Sequence, residues 1–131
     1  MTGETNLDLL ISKMEPVLRP GIFVFATFAR GTMPDGLDPI MVFEEAEGTT
    51  AIMDQAVALE RQIDAVFPSR MITLNIHSSL DAVGFMARIA TALASEGIGV
   101  NPVAGYYHDH LFVPQERADD AVAALRKLIK T

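Results

Sequence analysis

The sequence contains no cysteine and no tryptophan, and it has no long uninterrupted run of apolar residues. Without cysteine, neither a disulfide framework nor thiol chemistry is available. No apolar run approaches the roughly 18 residues that a helix needs to cross a bilayer. No N-terminal segment combines a basic region, an apolar stretch and a small-residue cleavage site. We therefore expect a soluble protein of the cytoplasm.

Basic residues are also few. The chain has 10 Lys and Arg against 17 Asp and Glu, which gives a formal net charge of −7. Binding to nucleic acid or to an anionic membrane depends chiefly on Lys and Arg that neutralise phosphates, and the basic residues here are scattered along the sequence. Neither nucleic acid nor a membrane is an expected partner.

Apolar residues are abundant, because half of the 131 residues are hydrophobic. Such a chain can form one compact domain or two very small ones, and a separate domain of about 65 residues is only marginally stable. We expect two halves, residues 1–68 and 69–131, that pack together.

The first half predicts a helix, two strands and a second helix. Apolar residues at positions 7, 10, 11 and 14 follow helical spacing, and Pro16 and Pro20 end that helix. Residues 22–28 and 40–43 are predicted strands, which we expect to pair as a hairpin with a long loop. The run 51–53 is too short to assign, and a helical pattern begins at Asp54.

The second half begins with a strand in which Ile72, Leu74 and Ile76 alternate with polar residues. A helix over 83–95 follows and ends at Gly97. Two more strands, 98–107 and 110–114, are joined by a tight turn at His108-Asp109, and a last helix begins at Ala118.

This order is βαββα, the ferredoxin-like βαββαβ arrangement without its last strand. The missing strand has to come from the first half or from a partner chain. Pro102 fits an edge strand, where a nitrogen without a hydrogen costs little. Because helix, strand, strand, helix occurs in both halves, we predict a tandem duplication of class α+β, with antiparallel sheets and helices on one face.

Three features of the second half meet at one end of the predicted sheet: the end of strand 71–77, the start of helix 83–95 and the hairpin at 108–110. A helix N-terminus presents backbone N–H groups and a partial positive charge, which suits the carboxylate of an amino acid. Gly84 lets backbone approach a ligand, and the amide of Asn101 can both donate and accept.

The stretch Ser78-Ser79-Leu80-Asp81-Ala82-Val83-Gly84, followed by Gly97-Ile98-Gly99-Val100-Asn101-Pro102, resembles the ACT regulatory domain. The resemblance implies a small bacterial protein of two tandem ACT-like units that binds an effector, usually an amino acid, and is not an enzyme. It places the ligand loop at Leu80–Gly84 and aligns Asn101 with the Asn that begins the family's second strand. The predicted ligand-binding residues are Ser78, Ser79, Leu80, Asp81, Ala82, Val83, Gly84, Asn101, His108 and His110, and no cofactor or metal is predicted.

Other interpretations stay open at this point. The residues His77, His108, Asp109 and His110 could form a metal-dependent or acid–base enzyme site, since imidazoles suit zinc. The same residues also make an ordinary polar hairpin tip. Gly84 could serve helix packing and Asn101 a turn, which leaves a structural interaction module.

A regulatory module without an attached enzyme needs a partner, and the simplest partner is a second copy of the chain. We therefore expect a homodimer. The polar face formed by Thr73, Asn75 and His77 is a candidate interface.

Overall fold

The computed structural model describes residue 3 and residues 5–130. The elements in chain order are α1 Leu7–Lys13, β1 Glu15–Leu18, β2 Phe23–Phe28, β3 Met41–Glu44, β4 Thr49–Asp54, α2 Gln55–Glu60, β5 Val66–Asn75, α3 Phe85–Ser95, β6 Asn101–Ala104, β7 Asp109–Pro114 and α4 Ala118–Lys130. The chain divides into two compact units. The inserted unit is Gly21–Ser69, and the split unit consists of the residues up to Pro20 together with those from Arg70 onward. The boundary falls within β5.

The split unit has a four-stranded sheet in the order β1-β5-β7-β6. β1 pairs antiparallel with β5, from Glu15 opposite Asn75 to Leu18 opposite Ile72. The βαββα order of the second half is therefore completed by a strand from the first half, one of the two sources that the sequence left open. Pro102 lies on β6, the last strand in the order, as predicted for an edge strand.

No strand was predicted at β1, because Pro16 was interpreted as the end of a helix. The Arg19 N–H donates to the Met71 carbonyl at 2.8 Å. Along an antiparallel ladder, hydrogen-bonded pairs alternate with pairs that are not hydrogen-bonded. The backbone N–H of Val17 therefore faces β5 as that of Arg19 does, and the Pro16 nitrogen points away from β5. A proline at that position removes no ladder bond.

Three helices cover one face of the split unit's sheet. Alternate residues of β5 and β7 point toward them, namely Ile72, Leu74, Leu111 and Val113. These pack with Leu10 and Ile11 of α1, Phe85, Ile89 and Leu93 of α3, and Ala118, Ala121, Ala124 and Leu125 of α4. The buried stripe of each helix follows the three-and-four spacing of an amphipathic helix.

The inserted unit has the strand order β3-β4-β2, with the first residues of β5 beside β2. The predicted hairpin between 22–28 and 40–43 is wrong, because β4 lies between them and pairs with both. The unassigned run 51–53 is the centre of β4. All three of its residues are fully buried, so the run shows no alternation between apolar and polar side chains.

The core of the inserted unit is small. Val24, Ala26 and Met53 from the strands pack with Ala58 of α2 and with Leu37. α2 begins at Asp54, whose side chain accepts a hydrogen bond from the Ala56 N–H at 2.8 Å. The helix ends at Glu60, although the apolar pattern of Ala56, Leu59 and Ile63 predicted a helix that continues until residues 67–69.

The hairpin between β6 and β7 turns earlier than predicted. The Gly105 N–H donates to the His108 carbonyl at 2.9 Å, so the turn is Gly105–His108, and Asp109 already pairs with Ala104 in the ladder.

Within the described part of the chain, none of the helices combines the length and the apolar character that crossing a bilayer requires.

A matched pair of substitutions in α1 tests whether this helix belongs to the core. Leu10 has no exposed surface, whereas 40% of its neighbour Leu9 is exposed. Leu10→Ala should lower the free energy of unfolding by about 2–5 kcal/mol, and Leu9→Ala by less than about 1 kcal/mol. Chemical denaturation measures both, and equal losses would contradict the packing described.

Candidate functional site

The segment between β5 and α3 is a polar loop with its own hydrogen bonds. The Asp81 N–H donates to the Ser79 hydroxyl at 3.1 Å, and the Ala82 N–H donates to the Ser79 carbonyl at 3.0 Å. Ser79 therefore closes a turn on both its side chain and its backbone. Leu80 and Val83 are exposed, at 70% and 85%, so the middle of the loop presents side chains to solvent.

Gly84 ends the loop and precedes α3. Its φ of +90° lies in the left-handed region, which a glycine adopts without the steric penalty that a side chain brings. The nearest atom to a Cβ at this position would be Leu7 Cδ2 at 3.5 Å. The backbone conformation, rather than crowding, is therefore what requires glycine here.

The start of α3 differs from the starts of the two preceding helices. The side chain of Asn6 accepts from the Leu9 N–H at the start of α1, and Asp54 caps α2 in the same way. Gly84 has no side chain, and no side-chain cap is present at α3. The first N–H groups of a helix have no partner within it. The start of α3 thus keeps donors, and the positive end of the helix dipole, directed at the polar loop.

The β6–β7 hairpin lies against the same end of β5. The Ser78 hydroxyl donates to Asp109 Oδ2 at 3.3 Å, and His108 Nδ1 lies 3.3 Å from the Ile76 carbonyl oxygen. The structure therefore brings together the start of the loop and two hairpin residues.

Asp109 is the acid of the corner formed by the loop Ser78–Gly84 and the hairpin residues His108 and Asp109, and its pKa is shifted. Burial raises its pKa above the ordinary value, and the effect is partly opposed by the hydrogen bond from Ser78 and by the charges of His110 and His108. A half-buried carboxylate beside a loop rich in polar groups favours a cationic or hydrogen-bond-donating neighbour.

His110 does not face this corner. Successive residues of a strand point to opposite faces, and His110 Nδ1 lies 3.0 Å from the Thr73 hydroxyl on β5. Burial lowers the pKa of His110, and the charges of His108 and Arg19 lower it further, whereas Asp109 opposes them. The imidazole is therefore held toward its neutral form.

Asn101 also lies away from the corner. It starts β6 opposite Phe112, three residues before Ala104, which pairs with Asp109. At a rise of about 3.3 Å per residue, that is about 10 Å along the strand. The expectation that Asn101 would meet the loop is not met within the chain.

The three histidines do not converge. The ring of His77 packs with Tyr106 and Tyr107, at centroid distances of 6.2 and 5.4 Å. His108 contacts the Ile76 carbonyl and His110 contacts Thr73. Over residue 3 and residues 5–130, no three His, Cys, Asp or Glu side chains are grouped closely enough to hold a metal ion. The geometry gives no support to the alternative of a metal-dependent or acid–base enzyme.

One contact of the loop was not predicted from the sequence. A Cβ on Gly3 would lie 2.6 Å from backbone atoms of Ser78 and Ser79, so Gly3 packs directly against the polar loop. A single glycine near the start of a sequence belongs to no motif, and only the fold reveals what it touches.

The two ferredoxin-like strand orders are those of ACT domains. The chain belongs to the ACT domain family, since one model of that family matches residues 2–70 and a second matches residues 66–127. ACT domains are regulatory modules that bind small molecules. No curated protein is similar enough to the chain to count as a match.

Solved structures agree with this assignment. A protein of unknown function from Vibrio cholerae is 41% identical, with a TM-score of 0.85, over 94% of this chain and 95% of that chain. A protein from Agrobacterium tumefaciens is 14% identical, with a TM-score of 0.76, over 88% and 89% of the two chains. The regulatory subunit of aspartate kinase from Thermus thermophilus is 12% identical, with a TM-score of 0.68, over 90% and 97%. The last two share the fold.

A substitution at Ser78 tests the link between the loop and the hairpin. Because the Ser78 hydrogen bond lowers the pKa of Asp109, Ser78→Ala should raise that pKa further, which an NMR titration of the carboxyl carbon measures. Ser79→Ala is the control, since the Ser79 hydroxyl accepts from Asp81 and not from Asp109. An unchanged Asp109 in Ser78→Ala would show that the bond does not form in solution.

Proposed function

We propose that the protein is a regulatory module without catalytic activity, and that it binds an amino acid or a related metabolite at the start of α3. The observation that carries the proposal is the absence of a side-chain cap on α3, where Gly84 leaves the first N–H groups of the helix open. Membership of the ACT family supports the general role, and the corner supplies a position for the ligand.

The two ends of an amino acid suit the two sides of this corner. A carboxylate accepts hydrogen bonds from the open N–H groups of α3 and gains about 0.3–1 kcal/mol from the helix dipole. The ammonium group suits the Asp109 carboxylate, whose side chain is directed at the loop through Ser78. A bound cation would lower the pKa of Asp109 toward its ordinary value.

The proposed site consists of the loop residues Ser78–Gly84 together with His108 and Asp109. His110 and Asn101 are left out, because His110 points to the opposite face of β7 and Asn101 lies farther along β6. Loop side chains that face solvent, such as Leu80 and Val83, would contact the side chain of the bound amino acid and so select among ligands.

A thermal-shift screen against the twenty amino acids and related metabolites tests the proposal. A ligand at about one hundred times its dissociation constant should stabilise the native state by about 2.7 kcal/mol. Gly84→Ala should abolish the shift, because it strains the loop at a positive φ. Gly97→Ala is the matched control: its φ is also positive, at +72°, and nothing lies within 4 Å of its Cβ position.

No stabilisation by any compound at millimolar concentration would contradict the proposal. Equal loss of the shift in both glycine variants would contradict the proposed position, since Gly97 follows the other end of α3.

We further propose that the protein acts in the cytoplasm as a homodimer, because a regulatory module works by changing a partner and a second copy is the simplest one. Of the three candidate interface residues, Thr73 is only 7% exposed and contacts His110, whereas Asn75 is exposed. Light scattering should give twice the chain mass of 14.2 kDa. A strict monomer at high protein concentration would rule the dimer out.

A further inference from the structure

A groove of about 630 Å³ runs along α4 in the split unit. Its apolar floor is formed by Leu18, Val122 and Ala123, and its rim carries Arg126, Lys127 and Lys130, with Asp119 at one end. None of these residues belongs to the loop or the hairpin of the amino-acid site. We propose that this groove binds a small organic anion with an apolar body, such as a medium-chain or aromatic carboxylate.

The first argument is charge. The chain has a net charge of −7 and only 10 basic residues, yet three of them line this one groove. The groove residues of α4 recur at helical spacing, which places them on one face of the helix. They are residues 119, 122, 123, 126, 127 and 130. The fold therefore gathers cations that are not conspicuous in the sequence.

None of these cations forms an ion pair with a described acid, although Lys127 also lines a second pocket that contains Glu96 and Asp120. In the described part of the chain, Arg117 and Asp120 form the one ion pair within 4 Å. Arg126, Lys127 and Lys130 form none. Asp119 lies at the other end of the groove, about 10 Å from Arg126 and about 16 Å from Lys130 along the helix axis, at 1.5 Å per residue. An anion between the cations would compensate their charge.

The groove also borders β1, which contributes Leu18 to its lining. Because Arg19 and Met71 form a hydrogen-bonded pair, the backbone N–H and carbonyl of Leu18 point away from β5. β1 is the first strand in the split unit's sheet order. Leu18 and Val122 give the groove apolar carbons beside the basic rim, which matches a ligand with a carboxylate and a hydrocarbon part.

Cations in the last turn of a helix also interact favourably with the helix dipole. That effect explains why basic residues lie near the end of α4, but it acts on every face of the helix alike. It does not explain why all three basic residues share a helix face with Val122 and line the same groove as Leu18. The volume of the groove, about 630 Å³, lies within the roughly 300–1,000 Å³ of small-molecule sites.

Three probes of one shape test the charge requirement. Octanoate, octanol and octylamine share a hydrocarbon chain and differ in head group. In titrations followed by two-dimensional amide NMR, octanoate should bind and shift the signals of Leu18 and Val122, octanol should bind more weakly, and octylamine should not bind. Raising the salt concentration should weaken octanoate binding, because exposed charges are screened.

Substitutions then test the residues. Arg126→Gln and Lys130→Gln should each weaken octanoate binding roughly two- to fivefold, since exposed ion pairs are individually weak. Lys13→Gln is the matched control, because it removes one exposed cation from α1 and should leave the affinity unchanged. Gly84→Ala should also leave octanoate binding intact, which separates failure of this site from failure of the amino-acid site.

Equal binding of octanoate and octylamine would overturn the proposal, and so would an equal loss of affinity in Lys13→Gln. Binding of an oligoglutamate peptide at the same residues with higher affinity than octanoate would also overturn it, in favour of an acidic polypeptide as the partner. Circular dichroism of each variant confirms that α4 remains folded.

Discussion

The pairing of β1 with β5 is the interaction on which the split unit depends. Without it, the βαββα order of the second half would leave one edge of β5 unpaired, and an open edge exposes a row of backbone groups. β1 supplies the partner, and α1, directly before it, supplies Leu10 and Ile11 to the same core. One antiparallel contact thus ties the start of the sequence to its last helix, even though the whole inserted unit lies between them in sequence.

The same arrangement positions the proposed ligand site. The loop before α3 begins at the end of β5, so the strand that β1 stabilises also positions Ser78, and Ser78 in turn holds Asp109. The loop connects Ser78, which contacts the half-buried acid, to the open start of α3 within a few residues. A site of this kind needs little specialised chemistry, because backbone donors and one carboxylate suffice to recognise both ends of a zwitterion.

The second half was predictable from its sequence because its patterns are strong. The alternation around Ile72 and Leu74, the helical stripe from Met86 to Leu93 and the glycine at Gly84 each identify one element. The first half was harder. Pro16 concealed β1, since a proline does not show whether its nitrogen faces a neighbouring strand, and the buried run Ala51-Ile52-Met53 carried no period. His110 and Asn101 were assigned to the site by family position and sequence proximity, which do not specify the face of a strand or the distance along it.

The division of the split unit has a consequence for biosynthesis. A ribosome makes α1 and β1 first, but their partners β5 and α4 follow only after residues 21–69. The inserted unit can therefore fold while α1 and β1 are still without their partners. The split unit completes its fold only when the last helix has emerged from the ribosome. Long-range contacts of this kind slow folding, and a nascent chain with β1 exposed is open to pairing with the wrong strand. Pro16 limits that hazard, because an edge that lacks a donor is a poorer template.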